Sequence, residues 1–154
     1  EDYEIRVLLE PAALKASGPL IEREELELMR DRVQRLIDHP EQQSAATIAR
    51  LERDLHQGCL RHYRNRKAGE MIAQSQLPVI VNRMFFQTLG VPRDEPLLME
   101  HKLVIDHLLF GAFDAAASSL QSHLQAAAER TRRRLKVLSV FPEPDLPPYL
   151  QRIV

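Results

Sequence analysis

Four side chains of the types that bind metal ions fall on apolar stripes of three helical segments. Glu52 and His56 are four residues apart, a spacing that places them side by side on one face of a helix. His101 and His123 occupy equivalent apolar faces of two later segments. Metal sites in helical bundles are built in this way, from side chains of facing helices. The pattern therefore predicts one divalent ion held by all four side chains.

The alternative to a metal site is a set of ordinary buried polar residues. A buried carboxylate or imidazole is costly unless it has a hydrogen-bond partner, and a backbone carbonyl satisfies a single histidine readily. Four such groups in one small core could instead satisfy each other through a shared divalent ion. Both interpretations stay open on the residues alone.

The remaining histidines and the single cysteine are not assigned to the metal. His39 precedes a proline at a predicted helix end, and His62 and His107 each follow a candidate ligand by six residues. Six residues turn a helix by about 600°, which directs those two side chains away from the ligand face. Cys59 shares the face of Glu52 and is expected to be a small core residue, with a thiolate ligand as the less favoured role.

The elements that position these residues are predicted to be helices throughout. Glycine is sparse, helix-forming residues dominate, and no segment shows the alternation of a strand. The expected fold is an all-α antiparallel bundle of about six to seven helices around a central metal and effector pocket. The predicted helices are Asp2–Ser17, Ile21–Asp38, Ser44–Arg64, Lys67–Leu89, Glu95–Phe110 and Asp114–Leu138.

Two details of this prediction concern the helix ends and the centre of the bundle. Asp114 is a candidate N-cap for the sixth helix. The fourth helix is apolar almost all round from Leu77 to Phe86, which is typical of a central helix. Residues 1–138 are expected to form one domain, and residues 139–154 a proline-rich tail.

Composition narrows the class of protein. The chain has 154 residues, 44% of them hydrophobic, which is enough to bury one core. Its 21 basic and 22 acidic residues give a formal net charge of −1, which argues against a domain whose main task is binding nucleic acid. The basic residues of Arg130–Lys136 lie all round their helix and do not form one stripe. Positive charge is favoured at the C-terminal end of a helix dipole, so the run is interpreted as a solvated helix end and not as a DNA-binding surface. There is no long apolar run, signal peptide or cysteine pair, so a cytoplasmic protein without a membrane span is expected.

Several segments, in order, resemble one known family. Tyr3–Ala13, with its Arg and Leu-Glu-Pro pattern, resembles the first helix of the FCD domain, the ligand-binding C-terminal domain of FadR-type GntR transcription regulators. Glu52–His56 is similar to the family segment in which an acidic residue precedes a histidine by four. Glu100–Lys102 followed by Phe113–Ala116 resembles a helix–loop–helix of the family, and Ser122–Leu124 matches its final ligand histidine.

This resemblance implies a metal-dependent sensor. Metal-binding members use one acidic residue and three histidines, which here are Glu52, His56, His101 and His123, with Glu52 where the family usually has Asp. The implied ion is divalent (Zn, Ni or Mn) and keeps one or two positions for a small carboxylate effector.

A cation is expected to hold the far end of that carboxylate, because the planar guanidinium of arginine pairs well with carboxylates. The resemblance favours Arg6, whereas Arg83 is the candidate from the residues themselves, as a polar exception in the apolar fourth helix. The alternative for Arg6 is an i,i+4 salt bridge with Glu10, of the kind that is common on helix faces, and this pair is expected to contribute little to stability.

The resemblance also implies partners. Regulators of this family bind DNA through an N-terminal winged helix-turn-helix, and nothing in these 154 residues supplies one. The chain opens inside a helical pattern and is therefore expected to be a regulatory domain cut from a longer protein, or a protein without the DNA reader. A homodimer is expected, because two-fold DNA half-sites call for a two-fold protein.

Three functions remain in competition. The first is the effector-sensing domain of a transcription regulator. The second is a metal-dependent hydrolase, since an ion with an open position can activate water. The stripes carry no further acid or base to assist it, and Asp54 is expected on the opposite face, so a non-enzyme is predicted. The third is a structural bundle with satisfied core histidines.

Overall fold

The all-α prediction is confirmed. The computed structural model describes the backbone of residues 1–88 and 96–138, and the side chains of residues 1–77 and 96–136. Within these ranges no strand occurs. The six α-helices there are α1 (Asp2–Ser17), α2 (Arg23–Asp38), α3 (Ala45–Arg53), α4 (Arg66–Thr88), α5 (Pro96–Leu109) and α6 (Phe113–Leu138).

The predicted third helix, Ser44–Arg64, is too long. Ser44 caps α3, because its hydroxyl accepts from the Thr47 backbone N–H and the Thr47 hydroxyl accepts from the Ser44 N–H. The α-helix then ends at Arg53 and widens into a π-turn, Asp54–Gly58. The Cys59 N–H bonds the Asp54 carbonyl at 3.0 Å, five residues back instead of four. Helical periodicity in the sequence does not reveal this local widening.

The predicted first residues of the second and sixth helices are also wrong. The second helix begins at Arg23, not Ile21, because Gly18–Leu20 forms a 3-10 turn and Ile21 is extended. The sixth helix begins at Phe113, so Asp114 lies in its first turn and is not the N-cap. There it forms an ion pair with Lys15 of α1.

The α5–α6 connection is a tight turn centred on Gly111, whose φ of 70° lies in the left-handed region. The Gly111 N–H bonds the Leu108 carbonyl and the Ala112 N–H bonds the His107 carbonyl, at 3.0 and 2.9 Å. This is a Schellman arrangement, which favours glycine at the left-handed position. It reverses the chain so that α5 and α6 lie against each other.

The predicted apolar stripes form the core. Helix α1 packs on α6 and α4, and α5 packs on α6 and α2. The buried stripe residues are Ile48, Leu55, His56, Cys59, Leu60, Leu98, His101, Val104, Ile105, Leu108, Ala116, Leu120, His123, Leu124 and Ala127. The side chains of residues 78–88 and all of residues 139–154 lie outside the described part. The central position of the fourth helix and the extended tail therefore stay predictions.

Candidate metal centre

The four predicted ligands, Glu52, His56, His101 and His123, lie together between α3, the π-turn, α5 and α6; they are called the central cluster below. One ring nitrogen from each of the three histidines lies within 4.8 Å of the others. Oxygens of the Glu52 carboxylate lie 3.3 Å from His101 Nε2 and 3.7 Å from His56 Nε2. Ligand atoms of one Zn-like ion lie roughly 3–4 Å apart, and the two Glu52 contacts already have this spacing.

The cluster is removed from water. The three histidines are between 0% and 3% exposed, and apolar core residues from α5 and α6 surround them. Burial lowers the pKa of His123 to about 3, against the opposing effect of its hydrogen bond to Glu100. His123 is therefore a neutral imidazole at physiological pH, the form that binds metal ions. His56 Nε2 is fully buried and makes no hydrogen bond within the described part of the chain.

Sequence reasoning missed two carboxylates that contact the cluster from outside. Glu10 of α1 accepts from His56 Nδ1 at 2.6 Å, and Glu100 of α5 accepts from His123 Nδ1 at 2.7 Å. For Glu10 a signal was present: it falls at helical spacing among the buried α1 residues Arg6, Ala13, Leu14 and Ser17. Glu100 lies in the family-like segment Glu100–Lys102 but has no such helical spacing, and its contacts across to α6 are what distinguish it from a surface glutamate.

Glu10 is a fully buried anion with several partners. Arg6 Nε donates to its Oε1 at 2.6 Å, and Gln76 Nε2 donates to the same oxygen at 3.3 Å. Burial alone would raise the pKa of Glu10, but the charges and hydrogen bonds of His56 and Arg6 outweigh it and lower the pKa to about 2. Gln76 also donates to the His56 carbonyl at 2.8 Å, which ties α4 to the π-turn.

Glu100 has the corresponding partner on α6. Arg130 donates to both of its oxygens, at 2.9 and 2.7 Å, in the bidentate geometry that suits a guanidinium and a carboxylate. Partial burial would raise the pKa of Glu100, but the hydrogen bonds from His123 and Arg130 lower it to about 2. Arg130, a member of the basic run, therefore holds a carboxylate that contacts the central cluster.

Of the two predicted effector-binding arginines, Arg6 is buried in α1. Arg6 forms the i,i+4 ion pair with Glu10 and lies over the Tyr3 ring, 5.4 Å from its centroid. Because this pair is buried, the small contribution to stability that is expected of a surface salt bridge does not apply to it. The terminal nitrogens of Arg6 make no hydrogen bond to any residue that the structure describes. The side chain of Arg83 lies outside the described residues.

The remaining metal-ligand types near the site are separate from it. Cys59 is buried against Met29, with its Sγ 3.7 Å from the Met29 sulfur. Burial, assisted by the charges of Glu25 and Asp54, raises the pKa of its thiol to about 12, so no thiolate forms near neutral pH. Asp54 turns away and pairs with Arg32 at 2.7 Å.

The residues present fit a divalent ion. Ring nitrogens of three buried histidines lie close together, the Glu52 carboxylate contacts two of these histidines, and the Nδ1 atoms of His56 and His123 are bonded to carboxylates. A carboxylate behind each histidine is the arrangement that protein metal sites use to orient imidazole ligands. An ion there would offset the charge of Glu52 and bind anionic ligands.

Comparison with protein families gives one assignment. The family model described as the FCD domain matches residues 1–126. Comparison with curated proteins and with solved structures gives no match. Among the described helices, none combines the length and the apolar character needed to cross a membrane.

Proposed function

The chain belongs to the FCD domain family, the effector-binding domains of GntR-type transcription regulators, and from this premise we propose that it senses a small carboxylate through a bound divalent ion. The observation that supports the proposal is that ring nitrogens of three buried histidines lie within 4.8 Å of one another, with the Glu52 carboxylate 3.3 Å from one of them. The residues that would hold the ion are Glu52, His56, His101 and His123. Zn, Ni and Mn all accept this mixture of nitrogen and oxygen donors.

The effector is proposed to be an anion because of the charges around the centre. A bound divalent ion in a low-dielectric core requires anionic ligands beyond Glu52 to balance its charge. Arg6 is proposed as an effector contact on the family resemblance; its Nε bonds Glu10, and its two terminal nitrogens bond no residue that the structure describes. Arg83 is retained as the second candidate, on the sequence argument alone.

The contacts of the two additional carboxylates support a sensor over a hydrolase. A hydrolase requires a general base beside the ion that is not itself a ligand. Glu10 and Glu100 bond the Nδ1 atoms of their histidines, on the ring side away from the centre, and both are held by arginines. Within the described residues these two groups are therefore outer supports of the cluster.

We propose that this domain controls DNA binding by a second, DNA-binding domain, and that it does so as a dimer. The family's winged helix-turn-helix would bind the DNA in the cytoplasm, and this domain would report effector occupancy to it. A homodimer follows from the two-fold symmetry of paired half-sites. Light scattering from micromolar to millimolar protein tests the dimer: we expect a mass of twice 17.7 kDa, and a monomer at every concentration would contradict it.

The metal is tested by thermal unfolding with added Zn²⁺, Ni²⁺ or Mn²⁺ after chelation. A ligand that binds only the folded state raises the free energy of unfolding, by about 2.7 kcal/mol at a ligand concentration of 100 times Kd, and therefore raises the unfolding temperature. We expect His101→Ala to abolish this shift. The matched control is His107→Ala, a half-buried histidine of α5 outside the cluster, which should keep it. Equal metal shifts in both variants would contradict the proposed site.

The effector class is tested in the metal-loaded protein. Small carboxylic acids and the corresponding amides are compared as stabilisers, with and without a chelator. We expect acids, and not amides, to raise the midpoint, and we expect the shift to disappear when the metal is removed. Equal shifts with acids and amides, or shifts that survive chelation, would show that any ligand pocket works independently of an ion.

A further inference from the structure

Two histidines of the central cluster are each backed by a carboxylate that no prediction from the sequence assigned. Glu10 accepts from His56 Nδ1 at 2.6 Å and Glu100 accepts from His123 Nδ1 at 2.7 Å. In both rings the second nitrogen, Nε2, is thereby left as the one that can bind a ligand. His56 and His123 stack at 5.3 Å between ring centroids, so the two rings present that nitrogen from neighbouring positions.

Each carboxylate is fixed in turn by an arginine. Arg6 bonds Glu10 through Nε, and Arg130 bonds both oxygens of Glu100. Two Arg–Glu–His relays thus converge on the cluster: Arg6–Glu10–His56, and Arg130–Glu100–His123. The first connects α1 to the π-turn, and the second connects α5 to α6.

We infer that Glu10 and Glu100 are positioning residues that set the tautomer of their histidines and thereby the affinity of the cluster for a divalent ion. A neutral imidazole carries one N–H and one lone pair, and either nitrogen can hold the proton. A carboxylate at Nδ1 places the N–H there and leaves the lone pair on Nε2. This inference rests on the proposed function for its metal, but the tautomer is a property of the metal-free protein.

The Glu100 relay allows the sharper test. Glu10 is completely buried, so replacing it also threatens the fold, whereas the Glu100 side chain is 24% exposed. Asp106 supplies a matched control on the same helix. Its side chain is 23% exposed and pairs with Arg30 at 2.6 Å and Lys102 at 2.7 Å. It carries the same kind of ion pair, with Arg30 and Lys102 and not with a cluster histidine as its partners, so it separates loss of a salt bridge from loss of the relay.

The experiment measures two quantities in Glu100→Ala, Glu100→Gln and Asp106→Asn. The first is the Kd for Zn²⁺, by competition with a chromophoric chelator. The second is the tautomer of His123 in the chelated protein, from long-range ¹H–¹⁵N couplings of the ring. Unfolding in urea with chelator present verifies that each variant is folded.

We expect Glu100→Ala to raise the Zn²⁺ Kd roughly 10- to 100-fold, the usual cost of losing such a partner. Its His123 should lose the pure Nδ1–H tautomer. Glu100→Gln keeps an oxygen that can accept from Nδ1 and should recover part of the affinity and most of the tautomer. Asp106→Asn should leave both quantities unchanged within twofold.

Three results would overturn the inference: an unchanged Kd in folded Glu100→Ala, the same rise in Asp106→Asn, or an unchanged His123 tautomer without Glu100. Absence of Zn²⁺ binding by the wild-type protein would instead refute the proposed function. In that case the tautomer measurement would still decide whether Glu100 positions the ring.

Discussion

Replacing Arg6 by methionine should destabilise the domain far more than the loss of an i,i+4 salt bridge at a surface. Arg6 and Glu10 are 3% and 0% exposed, and their Nε and Oε1 atoms are 2.6 Å apart. Methionine fills a similar volume but leaves the Glu10 carboxylate in the core with Gln76 and His56 only. Breaking a buried pair in this way costs about 3–5 kcal/mol, because one charge remains without its counter-ion.

The assay is urea unfolding followed by far-UV circular dichroism, with chelator present so that metal binding does not contribute. We expect the midpoint to fall with little change in m, as for a loss of native-state stability. The double variant Arg6→Met/Glu10→Gln removes both charges and should recover much of the loss. Arg66→Met is the control for an exposed i,i+4 pair, since Arg66 and Glu70 are 87% and 54% exposed, and should have no clear effect. A loss from Arg6→Met below about 1 kcal/mol, or as small as the control, would refute the reasoning.

Three glycines and the cysteine give further tests. Gly111→Ala should cost about 1–2 kcal/mol because its φ of 70° is left-handed, whereas Gly69→Ala, with nothing within 4 Å of the added Cβ in α4, should stabilise by about 0.5–1 kcal/mol. In urea unfolding, a stabilising Gly111→Ala or a destabilising Gly69→Ala would contradict the turn and helix assignments. Gly18→Ala places a Cβ 2.7 Å from the Phe113 ring and should cost about 1–3 kcal/mol, and a neutral result would show that the ring moves aside freely. Cys59, with its pKa raised to about 12 by burial, should react with iodoacetamide at pH 8 only through opening of the fold, so fast labelling without urea would contradict its burial.

Much of the helical framework could be predicted from the sequence because it depends on periodicity. The apolar stripes on three segments placed His56, His101 and His123 on core-facing sides, and the structure brings their ring nitrogens together. The end of α5 was equally predictable, since Gly111 provides the left-handed residue that a Schellman turn favours.

What could not be predicted depends on local hydrogen bonding and on contacts between distant segments. The π-turn requires the Cys59 N–H to bond the Asp54 carbonyl, five residues back, where an α-helix would use the carbonyl four residues back. The spacing of apolar residues in the sequence does not distinguish the two. The partner of His123, Glu100, lies 23 residues away on another helix. Only the packing of α5 on α6 brings the two together.

The most direct test of the proposed sensor is anomalous diffraction from crystals of the protein loaded with zinc, with data collected on both sides of the zinc absorption edge. The account predicts one strong peak per chain, within about 2.0–2.3 Å of ligand atoms from Glu52, His56, His101 and His123. A fully folded, zinc-treated protein with no peak among these four side chains, or with zinc only at exposed carboxylates, would contradict it.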